Sequence, residues 1–342
     1  MTKLAYYPGC SLRHSATEFD SSTRTVLEAL GFDLALVPDW TCCGASPAHM
    51  TDHLLAEALA ARNLRQSALV SDELVAPCPA CYQRQKTAAV DIQADPELRA
   101  EVNAIMDAPY EGDVQVFNLP ELLVDRVGLD TLAGLVKVDL SQLKVVAYYG
   151  CLLGRPSDLI GESDNEQPMK MDDLLSAVGA DVRWWNYKTE CCGASVGVPK
   201  KIIQQVLTRK IYEQALSAGA DAIVVACPLC HQNLDLRQAQ VNGHFGTSFD
   251  IPTLYLTQVI GLALGFSTDQ MLLGKHTVDP RPLVERAVAK AAEVRAEEQK
   301  KAAEKAAKAK AKAEAAAAAA AEPVAAESGP ADTQTETAEA AQ

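Results

Sequence analysis

Ten cysteines are the residues best equipped to do chemistry in this 342-residue chain, and they form two matching quintets. Cys10 is followed after 31 residues by Cys42 and Cys43, and after a further 34 by Cys78 and then Cys81. Cys151 is followed after 39 residues by Cys191 and Cys192, and after a further 34 by Cys227 and then Cys230. No cysteine is left over, which points to one shared role for each quintet. A structural zinc takes four tetrahedral ligands, typically from two Cys-x-x-Cys knuckles, whereas each quintet offers five thiols. Adjacent cysteines on extended backbone diverge, which is awkward for one tetrahedral ion but suits different irons of a larger cluster. An iron–sulfur cluster of unusual nuclearity or ligation is the expected group, with zinc in one copy as the alternative.

Other cysteine chemistries fit less well. CPLCH at 227–231 has the form of a covalent haem attachment site, but the matching CPACY at 78–82 lacks the histidine. A thioredoxin-like dithiol needs Cys-x-x-Cys alone and requires neither the upstream Cys-Cys-Gly nor the upstream Gly-Cys. The closely spaced ferredoxin run ending in Cys-Pro is missing, as are a glycine-rich dinucleotide fingerprint and a flavin signature. Electrons must therefore arrive from partners. Among polar neighbours, Ser11, Arg13 and His14 follow Cys10, Arg155 follows Cys151 by four, and Ser46, His49, Ser195, Lys200 and His231 sit close to other cysteines. Hydrogen bonds and positive charge tune an iron–sulfur group, and Arg suits an anionic substrate, so Arg13, His14, Arg155 and His231 are candidate neighbours of a catalytic site. The plainer readings are helix caps for the serines, solvated helix positions for His49 and His53, and packing for Trp40, Trp184 and Trp185.

The elements that must position these groups repeat as the cysteines do. KLAYYPGC at 3–10 recurs as KVVAYYGC at 144–151, TCCGAS at 41–46 as ECCGAS at 190–195, and LVAPCPACY at 74–82 as IVVACPLCH at 223–231. The last two pairs share an offset of 149 and the first has 141, so the second copy carries eight extra residues, expected in a surface loop within 155–170. Apolar spacing predicts strands at 4–7, 33–37, 74–76 and 114–117, and helices at 18–30, 52–69 and 119–127. The second copy has counterparts at 253–256 and 259–266. Strands alternating with helices predict α/β domains with parallel sheets. In such sheets ligand sites gather at the carboxyl ends of strands, where Cys10, Cys78, Cys151 and Cys227 fall. The expected division is 1–140, 141–281 and a tail, 282–342, that is an Ala/Lys/Glu-rich helix with almost nothing to bury, disordered beyond Pro323. The net charge of −14, from 31 basic and 45 acidic residues, argues against nucleic acid. No apolar run approaches the roughly 20 residues of a membrane helix. MTKLAYYPGC shows no export signal, which makes the reducing cytoplasm the expected compartment.

The doubled pattern Cys, Cys-Cys-Gly, Cys-x-x-Cys resembles the cysteine-rich CCG family, and two copies in one chain are similar to the B-subunit family of heterodisulfide reductases. The resemblance covers about half the chain, and the Ala-rich tail departs from it. It implies two domains related by a pseudo-twofold axis, each with a noncubane [4Fe-4S] cluster. Cys10, Cys42, Cys43, Cys78 and Cys81 would hold one, and Cys151, Cys191, Cys192, Cys227 and Cys230 the other. It further implies an oxidoreductase acting on sulfur, cleaving a disulfide at the clusters, each cluster offering an iron to one sulfur. Electrons would come from a ferredoxin-like iron–sulfur partner of the C type and a flavin-containing partner of the A type. The substrate would be a small disulfide or thiol, or a sulfur-carrier protein. Related chains also serve as noncatalytic electron conduits in glycolate, glycerol-3-phosphate, lactate or succinate dehydrogenases, which is the alternative.

Overall fold

The structure, a computed structural model, describes residues 2–161 and 164–320, apart from the side chains of Ser46 and of 314–320. The disorder expected beyond Pro323 lies outside the described residues. One compact unit spans Met1–Ala292, and the remainder, Glu293–Gln342, forms a second.

The first unit is built on two all-parallel four-stranded sheets. β1 (Thr2–Tyr6), β2 (Phe32–Leu36), β3 (Glu73–Val75) and β4 (Gln115–Phe117) are arranged 2-1-3-4. β5 (Lys144–Tyr148), β6 (Asp181–Val182), β7 (Ala222–Val225) and β8 (Thr253–Tyr255) repeat that order as 6-5-7-8. The central strands are near-continuous apolar runs, and Leu4, Ala5, Leu74, Val75 and all of β7 are buried, as parallel strands covered on both faces require. The same strand order in both halves is the internal duplication expressed as topology.

Helices α1 (Thr17–Ala29), α2 (Ala45–Thr51), α3 (His53–Ala68), α4 (Pro79–Ala94) and α5 (Leu119–Leu122) belong to the first half. Helices α6 (Lys170–Ala177), α7 (Lys201–Ser217), α8 (Pro228–Asp235) and α9 (Leu256–Ala263) belong to the second, and α10 (Arg281–Ala320) follows. The halves exchange helix contacts reciprocally: α1 packs on α9, and α6 on α5. Ser22 and Thr257 share a buried hydroxyl hydrogen bond of 2.7 Å across the first of these seams, and Phe19 stacks on Tyr255 at 4.3 Å. The pseudo-twofold relation is thus a packed core rather than a linker between independent modules.

Local departures from the expected elements have visible causes. The helix expected at 259–266 begins at Leu256, because the Gln258 side chain accepts from the Tyr255 N–H and caps it directly after β8. The helix expected at 119–127 passes into a π-helix at Leu123–Val127. The extra length of the second copy precedes β6: Asp33 pairs with Lys3, and Asp181 with Lys144. It includes a short helix, Ser157–Ile160. The stretch from 282 is predicted to bury almost nothing, yet Val284, Ala287 and Ala291 are 1–4% exposed. Small side chains at helical spacing suffice to seat the first turns of α10.

Candidate functional site

Each cysteine leaves the carboxyl edge of its sheet. Cys10 follows β1 through the turn Tyr7-Pro8-Gly9, Cys42 and Cys43 follow β2, and Cys78 ends the segment after β3 as the N-cap of α4. Proline at 79 fits the first helical turn, where its missing N–H is not needed, and so brings Cys81 back beside Cys78. The second half repeats this with Cys151, Cys191, Cys192, Cys227 and Cys230, and Cys227 is the N-cap of α8. All ten are free thiols. Cys43, Cys78 and Cys81 are buried, as are Cys192, Cys227 and Cys230, whereas Cys10, Cys42 and Cys191 are exposed and Cys151 is half-buried. Each half therefore has a buried sulfur floor and an accessible rim.

The two sites match at atomic detail. Cys43 Sγ lies 3.3 Å from Cys81 Sγ, and Cys192 Sγ 3.5 Å from Cys230 Sγ. The Tyr7 hydroxyl donates to the Thr41 carbonyl at 2.6 Å, and the Tyr148 hydroxyl to the Glu190 carbonyl at 2.6 Å. These carbonyls precede the Cys-Cys pairs, so a buried tyrosine at the end of the central strand anchors each pair. Trp40 packs edge-on against Tyr7, and Trp185 against Tyr148 at a tilt. Gly9 and Gly150 stand at φ +63° and +65°, and a methyl group there would sit 2.8 Å from Cys81 Sγ and 2.9 Å from Cys230 Sγ. Each glycine thus forms one wall of a sulfur pocket. Tyr7→Phe is expected to lower stability by about 1–3 kcal/mol, because the Thr41 carbonyl loses its partner; chemical denaturation of the variant measures it.

Thiol–thiol hydrogen bonds set the electrostatics. Hydrogen bonding with Cys42 and then Cys81 holds the Cys43 thiol down to about 3, and Cys42 and Cys81 are pushed up in exchange. In the second half Cys151 holds Cys191 down to about 6, and hydrogen bonding with Cys230 lowers Cys192. Cys78 is lowered by Cys81. Each half therefore has thiols poised to lose their protons, which metal binding requires.

The sequence matches the family model described as "Cysteine-rich domain" twice, over residues 4–84 and 145–235. The chain belongs to the cysteine-rich CCG family. It is 32% identical to the B subunit of the ferredoxin:CoB-CoM heterodisulfide reductase of Methanosarcina mazei, over 81% of this chain and 94% of that one. It is 29% identical to the 8-methylmenaquinol:fumarate reductase membrane anchor subunit of Wolinella succinogenes, over 82% and 99%. The fold resembles that of a hypothetical protein from Helicobacter pylori, with a TM-score of 0.67 at 13% identity, spanning 81% of this chain and 52% of that one. No helix among the described residues is long and apolar enough to cross a membrane.

Sulfur alone makes up the donor set of each CCG half, which suits iron or zinc. A tetrahedral zinc with bonds of about 2.3 Å holds its sulfurs roughly 3.8 Å apart. Among the described residues no three cysteine sulfurs lie within 4.8 Å of one another. Five sulfurs spread more widely, around a pocket walled by a glycine, fit a multinuclear group better than one ion. The compact set that does lie within 4.8 Å is His231, Asp235 and His276, but its polar atoms are engaged. Gln258 accepts from Tyr255 N and donates to the Met271 carbonyl, so it presents its other N–H to His276 Nε2. His231 Nε2 in turn lies 3.0 Å from His276 Nδ1 and 3.1 Å from the Thr253 carbonyl. Asp235 accepts from the Thr277 and Val278 amides. The trio fastens the segment before α10 to α8.

Arg13 and His14 are exposed, at the end of the short helix Gly9–Arg13. Arg155 is exposed and paired with Glu166 at 2.5 Å, and its carbonyl and that of Leu152 accept from Gln83 of the first half. His231 is 4% exposed and stacked on Tyr255 at 4.2 Å; burial pushes its pKa well below the usual imidazole range, which keeps the ring neutral. His49, His53, Ser195 and Lys200 are exposed, and the Ser46 side chain lies outside the described residues. Lys188 has no signature in the sequence, yet it is fully buried and pairs with Asp172 at 2.9 Å, with Nζ 4.6 Å over Trp184. Its carbonyl accepts from the amides of Tyr149 and Gly150, just before Cys151. Lys188→Met is expected to cost about 3–5 kcal/mol by leaving the Asp172 carboxylate buried and unpaired. The double variant with Asp172→Leu should recover much of that loss in a urea titration.

Proposed function

We propose that each quintet holds a noncubane [4Fe-4S] cluster, and that the chain is the iron–sulfur subunit of a cytoplasmic heterodisulfide-reductase-like complex. Its reaction would be reduction of a disulfide to two thiols with two electrons and two protons, or the reverse. The observation that supports this best is the twice-built five-sulfur pocket, each with a buried floor and an accessible rim. Cys10, Cys42, Cys43, Cys78 and Cys81 would hold one cluster, and Cys151, Cys191, Cys192, Cys227 and Cys230 the other. Bound iron–sulfur groups supply one-electron transfer next to sites where a substrate sulfur can be taken up. The buried cysteines keep water from the floor, while the strand-anchored tyrosines and glycine walls fix where the sulfurs stand. Since the sequence has no ferredoxin or flavin motif, a ferredoxin-like partner of the C type and a flavin-containing partner of the A type would deliver the electrons. The substrate class is a small-molecule disulfide or thiol, or the disulfide of a sulfur-carrier protein.

Anaerobic purification followed by iron and acid-labile sulfide assays tests the cofactor; zinc without sulfide would defeat it. Adding a candidate thiol to the oxidised protein is expected to raise a paramagnetic signal. Failure with every thiol tested, in protein that exchanges electrons normally, would favour the second reading, a noncatalytic electron-transfer subunit. That reading draws support from the 29% identity to a fumarate reductase anchor subunit. Iodoacetamide on intact anaerobic holoprotein is expected to leave activity unchanged although Cys10, Cys42 and Cys191 lie at the surface, because metal-bound thiolates are not free nucleophiles. Activity lost with iron retained would point instead to dithiol exchange.

A further inference from the structure

The two pockets share their tyrosines, their glycines and one close sulfur pair; beside the Gly193 N–H on Cys191 Sγ at 3.3 Å, the second also has a buried side-chain amide on a sulfur. Asn233, 3% exposed on α8, directs Nδ2 to the Cys192 carbonyl at 3.0 Å and to Cys192 Sγ at 3.6 Å. The 149-residue offset places Arg84 at the matching position of α4. Arg84 is half-buried, and its charge acts on Glu57 instead. In the first half the Cys-Cys segment is steadied by a different residue: Asn63 on α3 accepts the Thr41 N–H at 2.8 Å. That bond reaches backbone, and the Asn63 amide donates to the Leu59 carbonyl. Among the described residues no side-chain amide lies on a sulfur of the first half. Duplication has preserved the pocket and changed who donates to it.

A donor fixed on a ligand sulfur stabilises the negative charge that reduction adds, and so raises the potential of the group the sulfur holds. We infer that Asn233 is a positioning residue that sets the second site at a higher reduction potential than the first, so that an electron entering the chain settles in the second half. The inference rests on the reading that both quintets hold iron–sulfur groups. It concerns the inequality of the two sites, which that reading leaves open.

The test is a potentiometric titration of the anaerobic full-length chain followed by paramagnetic resonance. Cys43→Ser serves as the background in which second-half iron alone remains. Wild-type protein should show two separated midpoints, and the Cys43→Ser background should retain the higher one. Asn233→Leu should lower that midpoint by about 59 mV, a tenfold change in the ratio of reduced to oxidised centre for one electron. Asn233→Asp keeps the shape and removes the donor, and should lower it further. Asn233→Gln, which keeps an amide N–H, should stay nearest to wild type. Unchanged midpoints with iron intact, or equal shifts of both midpoints, would overturn the proposal. So would loss of second-half iron from both the Leu and Asp variants, which would make Asn233 a structural residue only. A wild-type protein that binds no iron defeats the underlying reading instead.

Discussion

Cys43→Ser is expected to strip about half of the bound iron and to abolish disulfide reduction, while leaving the second half loaded. Cys43 is the hinge of its pocket. Its sulfur lies 3.3 Å from Cys81 and it is next in the chain to the exposed Cys42, so it is the cysteine that joins the buried floor to the rim. A serine hydroxyl is harder, shorter and far less acidic, and cannot stand in for a thiolate toward iron. Cys192→Ser should remove the other half, because Cys192 touches Cys230 at 3.5 Å in the same way. The double variant should retain essentially no iron. Iron and sulfide analysis of anaerobically purified protein reads the outcome directly. Retention of full iron in either single variant would remove that cysteine from the ligand set. The two single losses should add, since the sites are built from separate sheets and share no cysteine.

Gly9→Ala should be nearly as damaging to its site without touching a ligand. An alanine at φ +63° carries the strain of the left-handed region, about 1–2 kcal/mol. Its methyl group would also stand 2.8 Å from Cys81 Sγ, closer than such atoms ever pack. Either the Tyr7-Pro8-Gly9-Cys10 turn or Cys81 must then move, and each movement separates Cys10 from the floor. Gly150→Ala presents the same conflict with Cys230 Sγ at 2.9 Å. Gly31→Ala is the control, because Gly31 is also left-handed, at φ +91°, but has open space around its Cα. It should cost stability and keep its iron. If Gly9→Ala loses no more iron than Gly31→Ala, the glycine is a turn residue and not a wall of the pocket.

Much of the fold was legible because the chain states it twice. The cysteine spacing, the strand segments 4–7, 33–37 and 74–76, and the parallel α/β arrangement all follow from local patterns. A parallel strand buried on both faces must be a short apolar run. Its ligand loops must then leave from its carboxyl end. The repeat even carried the signal for Tyr7 and Tyr148. Aligning YYPGC with AYYGC by their Gly-Cys places the two tyrosines on one another, although nothing local says that their hydroxyls reach the carbonyls of Thr41 and Glu190. Lys188 gave no signal at all, since a single lysine in sequence reads as solvated until its partner, sixteen positions earlier, is seen beside it. The seating of Val284, Ala287 and Ala291 was hidden for the opposite reason. Alanine-rich helices have no apolar stripe strong enough to announce a contact.

By itself, then, the sequence determined two duplicated α/β halves, ten cysteines divided five and five, and membership of a family whose chemistry is that of clustered thiols. Spacing and composition are one-dimensional quantities, and those conclusions need no more. The tertiary structure decided which sulfurs form the floor and which the rim. It also decided that glycine walls and strand tyrosines shape both pockets, and that His231 belongs to a hydrogen-bonded latch with His276 and Gln258. A difference between the halves, the Asn233 side-chain amide on Cys192 Sγ with no equivalent among the described residues of the first, became visible there as well. These are matters of distance between residues far apart in the chain, and only packing brings such residues together.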